Sequence, residues 1–353
     1  MAPTFPMRVK RSDAIVLSLH GEGYRAFNYI KRSGFECGNA VAEFLLNTSS
    51  WTGAEELNAR ALSHFGDEAA SVVDELLRLG ALLEESSSLA NDEARFLGVW
   101  GWGTASAVLH RAVTDRTMRD LTEQTARQVA KAIVEPSPDL TYVPGEDDER
   151  LAFLDPDLER GIYHTMSRRR TVRDTAPSTL DYDVLGDLLF AGFGITDWTE
   201  NAVCNLPLKF APSGGARNPF DAYLYVREVE GIAAGAYRYS GVDHCIVPIE
   251  TASSTTLAAL MGSQDWAENA SCVIFLVADF GRSMWKYQGD DNAYRVVLIE
   301  AGHIAQNIML MATEHGLSAC PSAALDHGLA EVVFGLREFD QSAVYGLAIT
   351  RPN

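Results

Sequence analysis

The chain has 353 residues, of which 47% are hydrophobic and 22% charged. That is the balance of a globular protein with one large or two moderate domains. Its 29 Lys+Arg against 48 Asp+Glu give a formal net charge of −19, which repels phosphate backbones and argues against nucleic acid as a partner. The longest clean apolar run, 272–278, falls far short of the roughly 20 residues of a spanning helix, so no membrane role is expected.

In chain order, residues 14–19 read as a strand, too brief an apolar stretch for a signal peptide. Three helical patterns follow. The first covers 37–46. The second covers 52–65, with Thr52 and Glu55 at capping-box spacing. The third covers 68–79, placing Ala69, Val72, Val73, Leu76, Leu77 and Leu79 on one face and stopping at Gly80. Residues 81–84 read as a short strand. Strand, three helices and strand is the order of a winged helix, a fold often used on DNA. Here residues 1–95 hold 14 acidic and 9 basic side chains, and the third helix carries Glu68, Asp74 and Glu75 against Arg78. A helix of that sign faces phosphates unfavourably. The better reading is a peptide-docking module whose exposed strand edge accepts an added strand. A structural appendage without a ligand is the alternative.

The expected organisation is a winged-helix-like domain over 1–110, a helical connector and linker over 111–160, and a third region over 161–353. The connector contains Pro136, Pro138, Pro144 and the acidic run Glu146-Asp147-Asp148-Glu149. In the third region a helix begins near 179–189. Strands are expected over 222–229, 235–239, 270–279 and 343–350, with a long helix over 291–314. Mixed elements of this kind predict an α+β sandwich around a core helix. The five cysteines are odd in number and none stands in a CxxC spacing, which argues for reduced thiols in a cytoplasmic protein. His244 and Cys245 are neighbours in a strand pattern and point to opposite faces, so no metal site is expected.

Walker A, GxSxG, HExxH and a strand-flanked GxGxxG are all missing. Five other features stand out. Ser167-Arg168-Arg169-Arg170-Thr171-Val172-Arg173 places four arginines in an acidic chain. If the segment is extended, Arg169, Thr171 and Arg173 point one way and suit a phosphate group; a solvated basic loop is the alternative. Pro212-Ser213-Gly214-Gly215 lets backbone N–H groups approach a flat or anionic ligand, or is a plain turn. Lys286-Tyr287 supplies two groups able to move protons, or is a surface lysine beside a packing tyrosine. The helix carrying Glu300-Ala301-Gly302-His303 is apolar on nearly every face and should be buried, with His303 a satisfied core residue or, alternatively, a ligand or a base. Pro321 forces extended backbone before the small residues Ser322, Ala323 and Ala324.

Taken in order, the Arg-Arg-Thr-x-Arg run, the Pro-Ser-Gly-Gly loop, Gly-Ala-Tyr-Arg-Tyr at 235–239, the Lys-Tyr pair, Glu-Ala-Gly-His-x-x-Gln-Asn and Gly-Leu-x-x-Cys-Pro resemble the nitroreductase-like FMN flavoproteins. Residues 161–353 are most similar to the SagB-type dehydrogenases that oxidise azolines in modified peptides. The N-terminal region more loosely resembles the winged-helix peptide-recognition modules related to PqqD. The resemblance implies a homodimer with FMN at its interface. It implies that Arg169, Thr171 and Arg173 contact the FMN phosphate and ribityl chain, with Arg351 completing that site. Ser213, Gly214 and Gly215 would line the flavin from the partner subunit, and Ser322-Ala323-Ala324 would present backbone N–H near flavin N5. The implied reaction oxidises a thiazoline or oxazoline in a peptide to the azole, with Lys286 or Tyr287 as base, dioxygen as final oxidant, and a cyclodehydratase complex as a partner. Two alternatives stay open. One is another nitroreductase-fold FMN oxidoreductase acting on a peptide or amino-acid-derived natural product; the other is a non-catalytic peptide-binding subunit.

Overall fold

The structure is a computed structural model that describes residues 8–113, 161–200, 205–250, 254–287 and 292–352. Strands β1 (Arg8–Arg11), β2 (Ile15–His20), β3 (Gly23–Asn28) and β4 (Ser33–Cys37) come first. They lead to α1 (Asn39–Asn47), β5 (Thr52–Gly53), α2 (Ala54–Phe65), α3 (Ala69–Leu79), β6 (Leu82–Glu84), α4 (Ser88–Val99) and α5 (Thr104–Val113). The expected linker, with its prolines and acidic run, lies outside the described residues. Beyond it come α6 (Ile162–Arg168), α7 (Tyr182–Phe193), β7 (Ile195–Glu200), β8 (Asn205–Lys209), β9 (Phe220–Val226), β10 (Gly235–Ser240) and β11 (Cys245–Pro248). The chain continues through α8 (Leu257–Leu260), β12 (Cys272–Asp279), α9 (Phe280–Lys286), α10 (Asn292–Glu314), β13 (Ser318–Ser322), α11 (His327–Phe334) and β14 (Gln341–Thr350).

These elements form two compact units. The first comprises Met1–Thr114, Asp279–Val297 and Arg337–Gln341; the second holds Asp115–Ala278, Leu298–Leu336 and Ser342–Asn353.

In the first unit β1 is the middle strand of the sheet β5-β1-β6, with Val9 opposite Thr52 on one side and Glu84 on the other. A separate antiparallel meander, β2-β3-β4, precedes the helices. The core beneath gathers Val9, Phe44, Leu45, Leu57, Ala61, Val73, Leu76 and Leu82. Each large apolar side chain buried there contributes about 1.5–3 kcal/mol. Helix α3 turns the predicted face inward and stops at Gly80, whose φ of 73° puts it in the left-handed region.

Three sequence expectations change. The strand that pairs beside the one following the third helix is β1, not residues 14–19. Four strands, not one, precede the first helix, and Cys37 ends β4 instead of starting a helix. The capping box is not used: Gly53 is the N-cap of α2, with no side-chain cap, and Thr52 is engaged in β5. Pairing to β1 fixes the Thr52 backbone, and its hydroxyl donates to Ser50 O at 3.0 Å. Glu93 on α4 is buried and accepts hydrogen bonds from the Ser12 hydroxyl, from Asp13 N at 3.0 Å and from Ala14 N at 3.2 Å. It thereby ties the β1–β2 turn to α4.

The second unit is built on a six-stranded sheet in the order β11-β10-β9-β12-β14-β13. Its interior strand β12 is buried from Cys272 to Ala278, which explains why its sequence is a continuous apolar run instead of an alternating one. Val273, Phe275 and Val277 share a core with Leu257, Leu260 and Met261 and with Ala330, Val333 and Phe334 of α11. Helix α7 lies close on α10. A Cβ at Gly192 would come within 2.7 Å of Ile308 Cδ1, so any side chain here would have to push Ile308 aside.

Helix α10 is long and apolar enough to cross a membrane by length and composition alone. Within the protein it is two-faced. Val297, Glu300, Ala301, Ile304, Ala305, Ile308 and Ala312 are buried, while Leu298, Ile299, Gly302 and His303 are exposed. The expectation of a fully buried helix with a core histidine is therefore corrected. Composition reports which residues are apolar, not which face the fold covers.

Candidate functional site

The chain leaves α6 at Arg168 and runs along β13, an edge strand of the sheet. Val172 N donates to Ser318 Oγ at 3.1 Å, and that hydroxyl reaches Arg170 O at 3.3 Å. Arg169 Nη1 meets Thr171 Oγ1 at 3.4 Å, so these two share a side, as alternation predicts. The Arg173 guanidinium lies 5.6 Å over the Trp266 ring. It also hydrogen-bonds the Cys320 thiol, whose pKa burial raises and Arg173 draws back down. Arg170 turns onto its own backbone, donating to Ser167 O and Arg169 O at 2.8 Å each. Arg168 reaches His164 Nε2 at 3.0 Å and Thr313 O at 3.4 Å. Among the described residues no carboxylate pairs with Arg169, Arg170 or Arg173. In a chain of net charge −19, such a cluster is chemically suited to an anion.

Two more expected residues belong to the same edge. Thr350 pairs in register with Ser318, so the exposed Arg351 follows at the end of β13 that holds the arginine segment. At the other end Ser322 leads into the Ala323–Ala324 turn. Gln264 Nε2 fixes this turn by donating to Ser322 Oγ at 2.9 Å, Ala324 O at 3.0 Å and Met261 O at 2.5 Å. The Ala324 N–H is taken up by Ser322 Oγ at 3.1 Å, and Ala323 is the exposed residue of the turn. Nothing in the sequence around Gln264 signalled this role. The β13 edge thus gathers Arg169, Thr171, Arg173, Ser322, Ala323, Ala324 and Arg351.

Ser213, Gly214 and Gly215 are held by different contacts. Gly215 has a φ of 62°, the residue in this tight turn for which glycine is suited, and Ala216 and Asn218 also have positive φ, at 51° and 46°. Ser213 Oγ accepts from Asn218 N at 2.8 Å. Its hydroxyl and the Gly214 backbone hydrogen-bond Glu300 of α10. Glu300 is 4% exposed. Burial pushes its pKa up to about 7, against the pull of those two hydrogen bonds and of the charge on Lys209. Sequence reading singled out this helix for His303 and missed Glu300. An acidic residue in an otherwise apolar helix was the available signal.

Lys286 and Tyr287 belong to the other unit, at the C-terminal end of α9. Tyr287 N closes the last turn on Ser283 O at 2.9 Å. Lys286 is exposed, Tyr287 half-buried, and Lys286 Nζ lies 5.6 Å from the Tyr287 ring centroid. An ammonium and a phenol side by side provide two groups able to take or give a proton.

Residues 166–349, slightly more than half of the chain, match the nitroreductase family. The chain belongs to the nitroreductase family. Members of this family are flavin-dependent oxidoreductases that typically bind FMN, and the second unit carries the family's mixed α/β fold. A Methanocaldococcus jannaschii protein whose name assigns it to the nitroreductases is 34% identical over 183 residues, covering 50% of this chain and 87% of that protein. The trifolitoxin-processing protein TfxB of Rhizobium leguminosarum bv. trifolii is 32% identical over 182 residues, 50% of this chain and 48% of TfxB. The match therefore spans about half of TfxB. A chain of the E. coli microcin synthetase McbBCD complex, solved with truncated pro-MccB17 bound, superposes with a TM-score of 0.51. It shares 19% identity and covers 73% of this chain and 97% of its own length. That likeness shows the fold.

Proposed function

We propose that this nitroreductase-family chain is an FMN-dependent dehydrogenase of the SagB type, oxidising thiazoline or oxazoline rings in a ribosomal peptide precursor to thiazoles or oxazoles. The observation that carries the reading is the Lys286–Tyr287 pair, because an FMN site alone does not distinguish azoline oxidation from other chemistry on this fold. The peptide-processing names of TfxB and of the microcin synthetase point the same way.

The residues divide the work. Arg169, Thr171, Arg173 and Arg351 hold the phosphate end of FMN, whose two negative charges suit an arginine cluster that lacks carboxylate partners among the described residues. The Ser322–Ala324 turn offers backbone to the ring system, and Ser213, Gly214 and Gly215 line it from the partner subunit. When bound, FMN supplies the two-electron acceptor for the hydride that leaves the azoline. Lys286 or Tyr287 removes the proton from the adjacent ring carbon, and the ring becomes aromatic.

Exposed apolar surface on the C-terminal region supports the homodimer reading. Ile162, Tyr163 and Met166 on α6, and Leu298 and Ile299 on α10, are all uncovered in one copy. A second copy is the occupant proposed for them. In the N-terminal unit, which we read as a winged-helix-like module, β4 is the outer strand of its meander. Beside it lies a groove of about 540 Å³ lined by Phe35, Cys37, Val41, Val72, Leu76 and Leu79. A strand edge with no partner among the described residues, next to an apolar groove, is the geometry for an extended peptide, pairing by backbone and seating alternate side chains. A cyclodehydratase complex would supply the azolines.

The test is turnover of an azoline-containing peptide by protein loaded with FMN. Lys286→Ala and Tyr287→Phe are expected to abolish oxidation while retaining FMN. Undiminished oxidation in both would remove the pair from the reaction, and native protein that leaves the azoline peptide unchanged would belong to another chemistry on the same fold.

A further inference from the structure

Helix α9, which presents Lys286 and Tyr287, has only seven residues, too few to be stable by itself. Its seat must come from tertiary contacts, and within the first unit these are specific. Of its residues, Phe280, Ser283 and Met284 are buried. The Phe280 ring meets Trp100 and Trp102 at 5.8 Å each and His110 at 5.0 Å. Gly101 N lies 3.0 Å from Met284 Sδ, and Phe280 N donates to Asp340 O at 2.9 Å. On the other side of the pair in sequence, Tyr294 is buried against Trp102 at 5.8 Å and stacks on Phe280 at 5.6 Å. His110 Nδ1 lies 3.1 Å from Tyr294 Oη, and the imidazole stacks on Trp100 at 5.1 Å and 23°.

Lys286 and Tyr287 therefore fall between two anchors, Phe280–Met284 and Tyr294. Both anchors are gripped by the same stretch of the N-terminal region, from the end of α4 into α5. A box that only had to fill space would not need a buried histidine bonded to a buried phenol. We infer that Trp100, Trp102 and His110 are positioning residues for the Lys286–Tyr287 pair, so that the N-terminal region sets the rate of the chemical step as well as offering a surface to a peptide. The inference rests on the proposed role of that pair in azoline oxidation. Misplacing a base by about 1 Å costs up to about 100-fold in rate without altering how the substrate is held.

The experiment compares His110→Leu, Tyr294→Phe, Trp100→Leu and Trp100→Phe with Lys286→Ala in the full-length FMN-loaded protein. It measures kcat and KM for an azoline peptide, flavin content by visible absorbance, and melting temperature. Tyr294→Phe removes one hydroxyl and keeps the ring, so it reports on the same contact if His110→Leu fails to fold. Expected are a kcat lowered about 10- to 100-fold in His110→Leu, Tyr294→Phe and Trp100→Leu, KM within about twofold and flavin content unchanged, with Trp100→Phe recovering most of the rate. Inactive Lys286→Ala together with full kcat in folded box variants would overturn the positioning role and leave the azoline reading standing. Full activity of Lys286→Ala would overturn the role of Lys286 and with it the positioning role, and native protein that leaves the azoline peptide unchanged would overturn the azoline reading as well.

Discussion

Glu300 is a carboxyl kept where its ionised form is costly. Its ordinary value of 4.5 rises to about 7 on burial. The folded state thus holds a proton that the unfolded state has already lost across that interval. The stabilisation is fully present below pH 4.5, declines as pH rises, and is gone above pH 7. It amounts to about 3 kcal/mol. Glu300→Gln keeps an acceptor for Ser213 and Gly214 but cannot ionise. Melting curves of the two proteins at pH 5 and pH 8 are expected to show a drop in the native protein that the variant lacks; parallel curves would contradict the assignment. The arginines make a second residue-level prediction. Arg169→Ala and Arg173→Ala each lose a charged hydrogen-bond donor to phosphate and should weaken FMN retention about 10- to 100-fold. Arg170→Ala, whose guanidinium is turned onto its own backbone, should retain FMN as the native chain does. Equal retention in all three, measured by FMN titration, would remove the arginine segment from the phosphate site.

Elements with a strong local signature were legible in the sequence. Helix α3 shows its 3.6-residue stripe and its glycine stop, β12 its unbroken apolar run, and α10 its length. What escaped was set by partners far away in sequence. Strand β1 is four residues long and exists because Val9 can pair with Thr52 and Glu84; nothing within those four residues announces a strand. The meander strands β3 and β4 carry arginine, glycine and glutamate among their apolar residues, so their alternation is weak. The arginine run, the Ser213–Gly215 turn and the Lys–Tyr pair were visible as residue types. Gln264 and His110 were not, and Glu300 showed only as an acidic residue in an apolar helix, since each acts by reaching an element remote in sequence. The close approach of α7 to α10 gives an element-level test. Gly192→Ala forces a methyl group onto Ile308 and is expected to destabilise the protein by about 1–3 kcal/mol, read by urea denaturation. An unchanged midpoint would mean that the Ile308 side chain moves aside without cost.

At the scale of the whole molecule, the proposed function calls for a flavin site shared between two copies of the chain. Among the described residues Arg169, Arg170 and Arg173 have no acidic partner, and apolar side chains on α6 and α10 lie uncovered in one copy. An assembly that buries those faces explains why α10 is so apolar and yet half-exposed in one chain. The N-terminal unit contributes the residues that seat α9 as well as the groove beside β4. Weakening that seat, as with Trp100→Leu, should therefore lower kcat even for a peptide stripped of any docking segment, whereas blocking only the groove, as with Val72→Arg, should raise KM for a full-length precursor and spare kcat. The central claim, a flavin held by a pair of chains, is tested most directly by size-exclusion chromatography with light scattering and visible absorbance on FMN-reconstituted protein. The account predicts a single species of twice the 38.5 kDa chain mass, with flavin absorbance co-eluting at one FMN per chain. A colourless species of one chain mass that takes up no FMN would contradict it.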